Sequence, residues 1–107
     1  MLTLVDSGIC NLDSVVQAFR RVGARFQVAT KAAELASADG IVLPGVGAFG
    51  DAMASLRNRG LVETLRSTSA AGTPILGICL GMQLLADTSE EFGHHQGLGL
   101  VPGRVGR

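Results

Sequence analysis

What most constrains the fold of this 107-residue chain is the alternation of short apolar runs with segments of helical period. Leu2-Thr3-Leu4-Val5 reads as a strand that ends at Asp6-Ser7-Gly8, after which Leu12, Val15, Val16, Phe19 and Val22 mark one face of a helix. Asn11 can cap that helix and Gly23 can close it. Arg25 to Ala29 gives a second strand, Ala32 to Ala36 a short helical stretch, and Ile41-Val42-Leu43 a third strand. From about Asp51 to Ala71 a helical region carries Met53, Leu56, Leu61 and Leu65 inward, with a break near Gly60; Gly72-Thr73-Pro74 then turns into a fourth strand. Strands this apolar need cover on both faces, and alternating helices supply it. The expectation is an α/β fold, a doubly wound parallel sheet. Ligands of such sheets sit beyond the carboxyl ends of the strands, here Asp6 to Asn11, Pro44 to Gly47 and Gly77 to Leu80.

Length allows one core and no more, so residues 1–107 are read as part of a single domain. Nine basic and nine acidic residues cancel, with no basic run, which argues against nucleic acid and against an anionic membrane surface as partners. No apolar stretch approaches the roughly 20 residues of a membrane span, and the first residues form a strand pattern rather than a leader. A soluble, cytoplasmic protein is expected. Cys10 and Cys79 lie far apart without metal-ligand spacing, so neither a disulfide framework nor a zinc site is suggested, and no cofactor is called for.

The chemistry concentrates at Gly77-Ile78-Cys79-Leu80-Gly81, between the apolar run Pro74-Ile75-Leu76 and Met82-Gln83-Leu84-Leu85-Ala86. A G-x-C-x-G frame where a strand hands over to a helix has the form of a nucleophile elbow, with glycines permitting a tight turn and the central side chain pushed out at the top of the sheet. The amino end of the following helix favours negative charge, which suits a thiolate nucleophile. The plainer alternative is a small buried hydrophobe. A second frame, Gly45-Val46-Gly47-Ala48-Phe49-Gly50, spells G-x-G-x-x-G. It follows the third strand rather than the first, and no acid stands at a strand end some 20 residues on, so a dinucleotide site is disfavoured. It can be a tight connection only, or a loop whose backbone N–H groups face an oxyanion beside Cys79.

Taken together, Leu43-Pro44-Gly45-Val46-Gly47-Ala48-Phe49-Gly50-Asp51-Ala52-Met53 and Gly77-Ile78-Cys79-Leu80-Gly81-Met82-Gln83-Leu84-Leu85 resemble the class I glutamine amidotransferases. Asn11-Leu12 with Ser14-Val15, and Gly97-Leu98-Gly99-Leu100-Val101-Pro102-Gly103-Arg104-Val105, extend the resemblance from Leu2 to Val105, and within the family it points to the glutaminases of histidine biosynthesis. The resemblance implies a flavodoxin-like domain, truncated after about its fourth strand, with glutamine as substrate. It makes Cys79 the nucleophile that forms a glutamyl thioester, and Leu80 a backbone donor to the oxyanion. Val46 would be the second donor after a peptide flip eased by Gly45, and Gly45, Gly47 and Gln83 would line the substrate. It further implies a (β/α)₈-barrel cyclase as partner, receiving the ammonia, with Asn11 and its loop facing that barrel.

One departure stands out. The family's triad also needs a histidine and a glutamate from a downstream segment, whereas this sequence offers only His94 and His95, in a polar stretch that matches no triad position. Glu90 and Glu91 are read as a solvated loop face, Cys10 stands where the family commonly has glycine, and Ser7 where it often has tyrosine. The expectation is therefore an amino-terminal portion of a glutaminase, inactive alone and completed by a missing carboxyl-terminal half. The alternative is a non-catalytic interaction module on the same scaffold. Either way, the fourth strand should carry an unpaired, adhesive edge.

Overall fold

The computed structural model describes residues 1–6, 12–45, 48–90 and 93–106. Four parallel strands, β1 (Leu2–Val5), β2 (Phe26–Ala29), β3 (Gly40–Gly45) and β4 (Ile75–Cys79), form one sheet in the order β2-β1-β3-β4. The order changes direction between β1 and β3, which makes their carboxyl ends the topological switch point. The register sets Leu2 beside both Phe26 and Gly40, Val42 beside Leu76, and Gly45 beside Cys79. The α/β architecture expected from the alternation is therefore present.

The connections are α1 (Asp13–Arg21), α2 (Ala32–Leu35), the pair α3 (Phe49–Asn58) and α4 (Val62–Ala70), and α5 (Leu80–Leu84). Gly60, at φ 70°, breaks the third connection in two as its position suggested, and Gly23 closes α1 at φ 71°. Glu34 accepts the backbone N–H groups of Thr30 and Lys31, both at 3.2 Å, which caps α2 from within. Met53, Leu56, Leu61 and Leu65 are all fully buried and join Leu35, Ile41, Leu43 and Phe49 in one core on the α2–α5 side of the sheet. Burial of each such side chain contributes about 1.5–3 kcal/mol.

The α1 side is covered differently. No residue of α1 is buried, and its main aromatic contact is Phe19 edge-on to Phe26 at 5.3 Å. Val22, expected on the inward stripe, is 77% exposed, because the helix ends at Arg21 and the chain leaves the helical screw. The expected cap, Asn11, lies outside the described residues; Leu12 occupies the cap position without a side-chain hydrogen bond. Beyond α1 an apolar groove of about 510 Å³ opens over Leu2, Val42 and Leu76, at the amino ends of the strands. At the groove's rim the Met1 ammonium pairs with the Asp39 carboxylate.

A small second sheet follows the main one, with β5 (Ala86–Ser89), β6 (His95–Gln96) and β7 (Val101–Val105) in the order β6-β5-β7. Reading Ala86 as part of a helix is corrected here: α5 stops at Leu84. Its end is tied off by backbone donors from further along, with Leu98 N–H on Leu84 O at 2.8 Å and Val101 N–H on Leu85 O at 2.9 Å. Periodicity cannot announce such a stop, because the hydrogen bonds that impose it come from distant residues. Among the described residues no helix is long and apolar enough to cross a membrane.

Candidate active site

Cys79 closes β4 and immediately precedes α5, with an exposed side chain. Its backbone sits at φ 56°, ψ −122°, and among the described residues it is the one non-glycine with positive φ. A β-carbon in that region costs on the order of 1–3 kcal/mol and persists only when neighbouring structure enforces it. The glycines around it do the enforcing through contact rather than through unusual dihedrals of their own. A Cβ at Gly77 would lie 2.6 Å from Met82 N and Cα, and one at Gly81 would overlap the Leu43 carbonyl oxygen. A Cβ at Gly45 would meet Gly81 N at 3.1 Å and Leu80 Cβ at 3.2 Å. Three backbones thus touch where β3, β4 and α5 converge, and the tension of the turn falls on the cysteine.

Leu80 turns its side chain into the core, 7% exposed, which fixes the orientation of its peptide. As the first residue of α5 it has an N–H without a partner inside the helix. With only five residues, α5 is shorter than the expected helix, so polarity at this corner comes from individual amides more than from an extended dipole. Gln83 lies one turn further along α5 and is half-buried. Gly45 pairs directly with Cys79 across the sheet, which sets the proline-glycine end of β3 beside the Cys79 backbone. Val46, Gly47, Asn11 and Cys10 lie outside the described residues.

The histidines are engaged elsewhere in part. His94 Nδ1 is 2.9 Å from Glu90 Oε1 in an exposed contact; Glu91 is outside the described residues. The ring of His95 lies over Gly50 in the first turn of α3 and 6.5 Å from Phe49, in the space a side chain at Gly50 would fill. Among the described residues no group of three His, Cys, Asp or Glu side chains is placed to hold a metal ion. The 510 Å³ groove is an unsuitable place for a polar amino-acid amide, being apolar and at the wrong ends of the strands.

Two arginines that no motif singled out hold the backbone at residues 96–98. Arg66 of α4 donates Nε to Leu98 O at 2.9 Å and Nη2 to Gly97 O at 3.4 Å, and Arg57 of α3 donates Nη2 to Gln96 O at 3.1 Å. Both stand on exposed helix faces, where arginine is ordinary, so the sequence carried no signal for them.

A parallel sheet with an exposed, strained cysteine at a strand-to-helix elbow, beside a glycine-rich strand end, defines a class. Residues 3–97 match the family model for glutamine amidotransferase class-I, and the chain belongs to that family. More particularly, it is 50% identical over 105 residues to the imidazole glycerol phosphate synthase subunit HisH of Sulfurimonas denitrificans, a match covering 98% of this chain and 51% of that protein. It is 53% identical over 106 residues to the subunit of the same name from Symbiobacterium thermophilum, covering 99% of this chain and 50% of that one. A solved glutamine amidotransferase superposes at TM-score 0.83 with 21% identity, over 98% of this chain and 56% of the other, which is a likeness of fold. The chain thus spans about half the length of the curated relatives it matches.

Proposed function

We propose that residues 1–107 are the amino-terminal portion of a glutaminase that hydrolyses glutamine through a cysteine thioester and passes the ammonia to a (β/α)₈-barrel cyclase in histidine biosynthesis. The observation that carries this reading is Cys79 itself, exposed at φ 56° and paired across the sheet with Gly45. Its sulfur attacks the glutamine side-chain carbonyl carbon, forming a C–S bond while the carbonyl electron pair moves onto oxygen. The Leu80 N–H, joined by that of Val46, steadies the oxyanion. Collapse breaks the C–N bond, and the nitrogen leaves as ammonia with a proton from a general acid. Water then cleaves the thioester, returning glutamate and the free thiol. Gly45 and Gly47 keep the β3 loop close to the substrate, Gln83 lines its pocket, and Asn11 faces the cyclase.

The proton carrier and its orienting carboxylate belong, in this reading, to the half of the domain that the relatives carry beyond the matched region. Their doubled length and the open α1 face of the sheet support a complementary half that packs over Leu2, Val42 and Leu76. The decisive assay is ammonia release from glutamine by the chain alone, by the chain with the complementary half, and by that assembly with the cyclase. Turnover is expected only after complementation, increased by the cyclase and abolished by Cys79→Ser. Turnover by the chain alone would refute the division of the triad. Silence in every combination would leave a non-catalytic docking module.

A further inference from the structure

We propose that Arg66 is a positioning residue for Cys79, acting through the backbone strap at residues 96–101; only the kinetic part of this inference rests on the glutaminase reading. α5 has five residues, too few to hold its own geometry against the strain of the preceding residue. Its far end is anchored by the strap. Leu98 N–H donates to Leu84 O at 2.8 Å, and Leu100 and Val101 N–H donate to Leu85 O at 2.8 and 2.9 Å, so the strap engages the last two carbonyls at that end.

The strap is held from the other side by α4. The Arg66 guanidinium spans two successive carbonyls, Leu98 O at 2.9 Å and Gly97 O at 3.4 Å, and is steadied by Glu63 Oε1 at 3.2 Å from Nη1. Gly97 leaves no slack, since a Cβ there would overlap Ala86 O and come within 2.9 Å of Phe49 Cζ. A continuous series therefore runs from the Arg66 fork through Leu98 and Leu84 along α5 to the Leu80 amide and Cys79. A planar fork suits two adjacent carbonyls, whereas a lysine ammonium is a compact charge on a flexible stem without that fixed geometry. Because a misplacement of about 1 Å can cost on the order of a hundredfold in rate, loss of this anchor should be felt at the thiol.

The test compares Arg66→Met and Arg66→Lys with the parent. In the ¹⁵N-labelled chain, Arg66→Met should shift the Leu80 and Gly81 amide resonances while those of β1 and β2 stay in place, with Arg66→Lys intermediate. In the complemented enzyme, Arg66→Met should lower kcat for glutamine hydrolysis tenfold or more while KM changes less than twofold, and Arg66→Lys should restore part of the loss. Shifts confined to residues 96–101, with kcat unchanged and only the melting temperature lowered, would overturn the proposal. If Arg66→Met fails to fold, Arg66→Lys decides on the same two readouts. A parent enzyme without glutaminase activity would instead sink the functional reading and leave the resonance comparison standing.

Discussion

On one side of the four-stranded sheet, α3, α4 and the turn between them bury Met53, Leu56, Leu61 and Leu65 completely; on the other, α1 buries none of its residues and Leu76 of the edge strand remains 60% exposed. Both sides present apolar strand side chains, Ile41 and Leu43 on one and Val42 and Leu76 on the other. What separates them is the cover: Leu35, Leu56 and Leu65 pack on one side, whereas α1 buries no residue on the other. The packed side carries the elbow: α5 rests on Leu43 and Gly45 of β3, and the strained Cys79 is held by a core that cannot yield. The open side, at the amino ends of the strands, is where a complementary half is expected to pack, and that half must also reach the carboxyl ends to bring the missing triad groups to the thiol.

The contrast can be broken most forcefully on the packed side. Leu65→Ala should cost about 2–5 kcal/mol of unfolding free energy, because the buried site cannot collapse around the lost atoms; a urea midpoint within error of the parent would show the core to be loose. Gly81→Ala should cost about 1–3 kcal/mol or more, since the new methyl overlaps the Leu43 carbonyl oxygen and must lift α5 from β3. Its loss of Cys79 alkylation selectivity, read by mass spectrometry, should accompany the loss of stability.

A smaller effect sharpens the claim of strain. Cys79→Gly should exceed Cys79→Ala in stability by about 1 kcal/mol, because glycine accepts φ 56° and alanine does not; equal midpoints would remove the strain from the account. On the open side, Val22→Ser should alter stability by less than about 0.5 kcal/mol, as its side chain is already in water. Leu76→Lys should be nearly as mild for folding, yet reduce self-association of the isolated chain in sedimentation experiments and weaken its capture of the complementary half. A parent chain that remains monomeric at every concentration would contradict the adhesive edge.

The same contrast governs what was legible beforehand. Met53, Leu56, Leu61 and Leu65 announced their burial because a helical stripe and its core lie within one stretch of chain. The parallel sheet followed from the alternation, and the elbow from two glycines around a cysteine. Val22 misled because periodicity runs on past the point where backbone hydrogen bonding ends the helix. The early stop of α5, the β5–β7 sheet and the Arg66 anchor were invisible for a related reason: each depends on bonds between residues six or more positions apart, and polar segments such as Ala86-Asp87-Thr88-Ser89 carry no strand pattern. It was also not apparent that the positive φ of the elbow would fall on Cys79 instead of on a glycine.

The central claim is that the sulfur at the elbow is the atom that meets glutamine. Labelling the complemented protein with an electrophilic glutamine analogue, followed by peptide mapping, tests it most directly. The adduct is expected on Cys79, protected by excess glutamine; an adduct on Cys10, or labelling indifferent to glutamine, would contradict it.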